Sequence, residues 1–198
     1  MSNILDRIAT KNNSALLIVD MLNDFLMEES LLSSEEGRQL IPRIKKLKSF
    51  ATSKNIPTIY IQEIHRKNKV DFGITLDKEP ERCYEKSPGS EITTELKPDD
   101  ADYIVVKRRF SGFFMTDLDL LLKGLKTEVV ILTGLASNMC VYATALDAVQ
   151  RDYRAVIVED CVAGTGHTSR EIHRAYLENF SIILGDLVSS EELIKKLK

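Results

Sequence analysis

Cys140 stands in the run Thr133-Gly134-Leu135-Ala136-Ser137-Asn138-Met139-Cys140-Val141, where an apolar, strand-like segment gives way to a helical pattern. A cysteine in the first turn of a helix meets unpaired amides that carry partial positive charge, so its thiolate is stabilised. Such thiols fall from a free pKa of about 8.5 to roughly 3.5–7.5, the range of a nucleophile. Two other ionisable residues close apolar runs: Asp20 ends Ala15-Leu16-Leu17-Ile18-Val19-Asp20, and Lys107 ends Tyr103-Ile104-Val105-Val106-Lys107. Taken singly, a cysteine is most often an inert buried hydrophobe, and a charge at a strand end is a solvated rim. Three ionisable groups at the carboxyl ends of apolar runs point to a ligand site, because open parallel sheets bind outside those ends.

The chemistry those side chains suit is hydrolysis at a carbonyl. Cys140 attacks, a tetrahedral oxyanion forms, an amine leaves, and water cleaves the resulting thioester. Asp20 is placed to take the thiol proton, return it to the leaving nitrogen and activate water. Lys107 supplies a fixed positive charge that favours the thiolate and the anionic transition state. Backbone amides at the strand-to-helix turn, those of Ala136 and Cys140, are the expected oxyanion hole.

The elements that must position these groups are legible as alternation. Apolar runs of strand length occupy 15–19, 58–61, 103–106, 128–132, 155–158 and 181–184, mostly continuous and rich in Val and Ile. Continuous runs predict strands covered on both faces, as in a parallel sheet. Between them, Leu40, Ile44, Leu47 and Ala51 form one helical stripe, with Pro42 expected in its first turn. Met139, Tyr142, Ala143, Leu146 and Val149 form another stripe, behind an N-cap expected at Ser137 or Asn138. Further helices are expected over 116–125, 169–179 and 189–198. Strands alternating with helices predict an α/β doubly wound, Rossmann-like three-layer sandwich with right-handed crossovers.

The segments Ile18-Val19-Asp20-Met21-Leu22-Asn23-Asp24-Phe25, Val105-Val106-Lys107-Arg108-Arg109-Phe110-Ser111-Gly112-Phe113-Phe114, 132–143 and Val158-Glu159-Asp160-Cys161-Val162-Ala163-Gly164 resemble, in order and spacing, the isochorismatase-like cysteine hydrolases. That superfamily holds nicotinamidases and N-carbamoylsarcosine amidohydrolases. The resemblance implies a central, mainly parallel six-stranded sheet with the site at the carboxyl edge of its middle strands. It also implies an Asp20, Lys107 and Cys140 triad without histidine, a cis peptide at Leu135-Ala136, and pocket walls at Phe25, Phe110 and Phe113. A small amide or ureido substrate and a homo-oligomer, dimer or tetramer, follow from the same likeness. Isochorismatases of siderophore pathways hydrolyse a vinyl ether without a cysteine nucleophile, which makes them the rival reading. A non-catalytic binding protein of the same fold is a second.

Metal is where the sequence departs from the nicotinamidases. They carry Asp-x-His followed by a further His, whereas Ile61-Gln62-Glu63-Ile64-His65 gives Glu-x-His, and His167 and His173 lie in a different segment. We therefore expect no metal and no other cofactor, with His65 contacting substrate or capping its strand. The glycines of Gly164-Thr165-Gly166-His167-Thr168-Ser169 imitate a dinucleotide fingerprint, but the third small position is Ser169 and too little chain follows.

Composition bounds the rest. The 198 residues suit one domain, 1–198. A net charge of −3 with dispersed lysines and arginines argues against nucleic acid. No stretch approaches the roughly 18 apolar residues of a membrane span, and no signal-like segment opens the chain, so a cytoplasmic protein is expected. Three cysteines without a C-x-x-C pair are expected as free thiols. The stretch 66–102, poor in periodicity and holding Pro80, Pro88, Gly89 and Pro98, is long enough to be functional.

Overall fold

The computed structural model describes residues 4–11, 13–166 and 168–197. The chain runs α1 (Ile4–Lys11), β1 (Ser14–Val19), α2 (Asn23–Leu26), α3 (Glu35–Ser53), β2 (Thr58–Glu63), β3 (Tyr103–Lys107), α4 (Leu118–Gly124), β4 (Val129–Gly134), α5 (Cys140–Val149), β5 (Arg154–Val162), α6 (Arg170–Ile183), β6 (Gly185–Val188) and α7 (Ser190–Leu197). The six strands form one sheet in the order β3-β2-β1-β4-β5-β6, and every pairing is parallel. The doubly wound, three-layer α/β sandwich expected from the alternation is present.

Successive strand residues face opposite layers, as the two-residue period requires. Leu16, Ile18, Tyr60, Ile131, Val156 and Val158 pack with Ile44 and Leu47 of α3 and Leu193 of α7. Leu17, Val19, Ile59, Val130, Leu132 and Ile157 pack with Leu118 of α4, Val141 and Ala145 of α5, and Phe180 of α6. β1 and β4 are buried along their whole length. β3 is the exception to the reading of continuous runs as doubly covered strands: it lies at the sheet edge, and Tyr103, Ile104 and Val106 are exposed.

Three expectations about boundaries are corrected. Residues 181–184 are not a strand. The stripe Leu177, Phe180, Leu184 keeps helical period against the core, so α6 runs on to Ile183 with Ile182 and Ile183 facing outward. β6 begins only at Gly185, where a Cβ would lie 2.1 Å from the Ala155 carbonyl oxygen and only glycine lets the strands pair. Pro42 is not in the first turn of its helix, because Ser34 caps α3 by accepting from the Gly37 N–H and so starts it well upstream. Neither Ser137 nor Asn138 caps α5. Ser137 Oγ is engaged with His173 Nδ1 at 2.8 Å, and Asn138 Oδ1 accepts from Thr168 Oγ1 at 3.1 Å. Met139 takes the cap position without a side-chain bond, which leaves the first turn of α5 open.

Candidate functional site

Chain direction along the sheet reverses between β1 and β4, which are neighbours: β1 leads towards β2 and β3, β4 towards β5 and β6. A crevice outside the carboxyl ends of such strands is where open sheets bind ligands. Asp20 follows β1 directly, with a left-handed φ of 48°, and its N–H donates to the Ile61 carbonyl at 2.9 Å. Cys140 is the first residue of α5, one short turn beyond β4. Gly134 ends β4 with φ +100°, and a Cβ there would lie 2.0 Å from the Val19 carbonyl oxygen, so the turn requires glycine. The next peptide, Leu135-Ala136, is cis.

Lys107, the last residue of β3, reaches back over β2 to join the other two. Its Nζ lies 2.7 Å from Asp20 Oδ2 and donates to Cys140 Sγ at 3.4 Å. The same ammonium donates to Glu63 Oε2 at 3.0 Å. Asp20, Glu63 and Lys107 are each 1% exposed or less, so these charges interact with little solvent screening.

Burial sets the protonation states. It disfavours the Lys107 ammonium, but Asp20, Cys140 and Glu63 outweigh it and hold the group charged, well above the ordinary lysine range. Burial raises Asp20 above the usual carboxylate range even though Lys107 pulls it down. Around Cys140, burial opposes the thiolate that a helix start favours. Burial pushes its thiol up, Lys107 lowers it, and Asp20 and Glu63 raise it again. Enclosure thus favours the protonated sulfur, and a neighbouring base that accepts this proton favours attack. Asp20, whose oxygen lies within 4.8 Å of Sγ, is raised in the direction that makes it a better acceptor.

A small, partly open pocket lies over these groups. Asp20, Glu63, Glu79, Arg82 and Cys140 furnish its charged and reactive wall; Phe25, Leu32, Phe110, Leu135 and Met139 its apolar one. Ala136 and Thr165 complete the lining. The N–H groups of Ala136 and Cys140 make no hydrogen bond among the described residues, so both amides at this turn are free to donate.

Of the aromatic residues expected around the pocket, Phe25 and Phe110 line it and Phe113 does not. The Phe113 ring is buried against Tyr153, centroids 5.9 Å apart, with the Arg151 guanidinium 5.0 Å above it. His65 is also outside the lining. It stacks on Phe72 at 3.8 Å, with Nε2 3.0 Å from Glu63 Oε1 and Nδ1 3.3 Å from Asp71 Oδ1. His173 engages Ser137, and His167 lies outside the described residues.

Glu79, Arg82 and Thr165 are cavity residues that pattern reading did not single out. The length and irregularity of 66–102 pointed towards the first two, and the run Arg82-Cys83-Tyr84-Glu85-Lys86-Ser87-Pro88-Gly89, which resembles members near the carbamoylsarcosine branch, holds Arg82 without assigning it a role. That segment is pinned beside the site by the Cys83 N–H donating to Asp24 Oδ2 at 2.6 Å and by a parallel bridge between His65 and Tyr84. Arg82 Nε then meets Glu63 Oε1 at 2.7 Å.

Ligand atoms of Asp20, Glu63 and Cys140 lie within 4.8 Å of one another, the spacing of a possible cation site. They do not fit a divalent ion, because the Lys107 ammonium already touches all three. A dication about 4 Å from that ammonium would be repelled by roughly 8 kcal/mol at an effective dielectric of about 20. The Glu63 and His65 pair is likewise engaged by Arg82 and Asp71.

The isochorismatase domain model matches residues 14–192. The chain belongs to the isochorismatase family. An uncharacterized isochorismatase family protein of Bacillus subtilis is 33% identical over 187 residues, covering 94% of this chain and 99% of the relative. The solved isochorismatase-like hydrolase of Alkaliphilus metalliredigens superposes with a TM-score of 0.85 at 35% identity, covering 94% of this chain and all of that one. The N-carbamoylsarcosine amidase of Thermoplasma acidophilum gives 0.77 at 28% identity, covering 90% and 97%. The chain is an isochorismatase-family hydrolase, and its curated relatives include an N-carbamoylsarcosine amidase of Arthrobacter and a ureidoacrylate amidohydrolase of Yersinia enterocolitica. Among the described residues, no helix is long and apolar enough to cross a membrane.

Proposed function

We propose that this isochorismatase-family protein hydrolyses C–N bonds in small carboxamides or N-carbamoyl compounds through a thioester on Cys140. The observation that carries the reading is that Cys140 and Asp20 line one pocket while the buried Lys107 ammonium contacts both of them from behind. The substrate carbonyl sits against Sγ, its oxygen directed to the N–H groups of Ala136 and Cys140. Asp20 takes the thiol proton as sulfur attacks and passes it to the leaving nitrogen. It then removes a proton from the water that cleaves the thioester, and Lys107 balances the negative charge throughout. The role of the turn amides is supported by their having no protein acceptor among the described residues.

The apolar wall of the pocket suits a small substrate with an apolar part. Similarity to an N-carbamoylsarcosine amidase supports ureido compounds as one class. Nicotinamidase and vinyl ether hydrolysis are the rivals. Neither has a feature of this site in its favour: Glu63 is engaged by Lys107 and Arg82, and a vinyl ether hydrolase has no use for the thiol. A cytoplasmic location belongs to the same proposal, as does a homo-oligomer, the latter supported by the apolar side chains exposed along edge strand β3.

The test is ammonia release from purified protein over primary amides, N-carbamoyl amino acids, nicotinamide and isochorismate, the last followed by its own product. Turnover confined to amides or ureides, and lost in Cys140→Ser, supports the proposal. Cysteine-independent turnover of isochorismate overturns it.

A further inference from the structure

Glu63 belongs to neither the nucleophile, the base nor the oxyanion hole, yet it touches the groups that surround them. Its carboxylate accepts from Lys107 Nζ at 3.0 Å and from Arg82 Nε at 2.7 Å, and faces His65 Nε2 at 3.0 Å. Its main-chain N–H donates to Asp20 Oδ1 at 2.9 Å. The side chain is 2% exposed, so none of these bonds competes freely with water. The register explains why one residue makes all of them. Glu63 ends β2, pairs directly with Lys107 of β3, and stands two residues beyond Ile61, the partner of Val19 just before Asp20.

We propose that Glu63 is a positioning residue that holds the Lys107 ammonium on Cys140 and Asp20. The ammonium has three protons and three neighbours: Asp20, Glu63 and Cys140. A lysine stem is flexible, so an ammonium with only Asp20 and Cys140 to hold it has freedom that a three-point contact removes. Arg82 and His65 fix the carboxylate from its other oxygen, so Glu63 cannot swing away with the lysine. The charges around Glu63 also outweigh its burial and keep it ionised, below the ordinary carboxylate range.

The proposal rests on the thiol-hydrolase reading, and the test separates the two. Glu63→Gln keeps the shape and the main-chain bond to Asp20 but removes the charge. Turnover of the amide or ureide that wild type hydrolyses fastest is measured beside 15N-edited spectra of the lysine ammonium region, with the Lys107 signal assigned by its loss in Lys107→Met. We expect kcat to fall by roughly tenfold or more while KM moves by less than about threefold, and the slowly exchanging Lys107 signal to broaden or vanish. A kcat within about twofold of wild type, or a loss of kcat with the Lys107 signal unchanged, overturns the proposal. If Glu63→Gln does not fold, Glu63→Asp, which keeps the charge but withdraws it by one methylene, goes through the same two measurements. Wild-type turnover by Cys140→Ser sinks the underlying reading instead.

Discussion

The Lys107 ammonium donates to Cys140 Sγ at 3.4 Å although strands β2 and β1 lie between β3, which carries Lys107, and β4, which leads to Cys140 at the start of α5. That contact is the main influence pulling the thiol down against burial. Lys107→Met should therefore shift the pH profile of iodoacetamide labelling at Cys140 to higher pH and slow labelling near neutrality. Identical labelling at every pH would make Lys107 a bystander.

Cys140→Ser and Cys140→Ala should abolish turnover with the thermal midpoint little changed, because the sulfur lines the cavity. Cys83 and Cys161 are fully buried in the core and line no part of that cavity. Their alanine variants should keep most activity and lose about 1–2 kcal/mol of stability, the ordinary cost of a small core truncation. Turnover assays paired with thermal melts separate the two outcomes.

Asp20→Asn should cost about 10²–10⁴ in kcat, the usual worth of a positioned base, yet weaken a tetrahedral-intermediate analogue far less. The turn amides of Ala136 and Cys140, the proposed oxyanion donors, remain in the variant. Equal losses in turnover and analogue affinity would remove the base assignment.

Prolonged chelation should leave activity essentially unchanged, since the Lys107 ammonium occupies the space among Asp20, Glu63 and Cys140. Loss of activity on chelation, restored by zinc, iron or manganese, would contradict that reading.

Glu63 also makes a stability prediction. Burial opposes its ionisation, but Lys107, His65 and Arg82 together lower its pKa below the ordinary value of 4.5. A depressed folded-state pKa contributes stability that is full above the unfolded pKa and fades as pH falls towards the folded one. The difference in urea unfolding free energy between wild type and Glu63→Gln should thus be largest near neutrality and shrink on acidification below about pH 5. A difference constant from neutral to acid pH would contradict the linkage.

Asp20, Lys107 and Cys140 were readable from the chain because each terminates or follows a run of Val, Ile and Leu, and apolar runs fix where parallel strands end. The α/β sandwich was readable for the same reason: hydrophobic period is a local property of the sequence. Boundaries failed where a tertiary contact decided them. Gly185 starts β6 because β5 approaches too closely for any side chain, and Ser137 fails to cap α5 because His173, 36 residues later, engages its hydroxyl.

The burial that pushes the Cys140 thiol up was equally invisible. Helix position alone predicted a thiolate, but the cost of burying charge depends on how completely other elements enclose Cys140. Arg82 and Glu79 joined the cavity wall because 66–102 folds back through Asp24 and Tyr84, contacts that no spacing encodes. Phe113 left the wall because its ring found Tyr153 in the core. The sequence by itself set which groups were available for chemistry and roughly where strands would deliver them, since both follow from residue type and short-range period. Their charge states, their partners and the shape of the space between them depend on the dielectric and packing created by distant segments, and only the tertiary structure decided those.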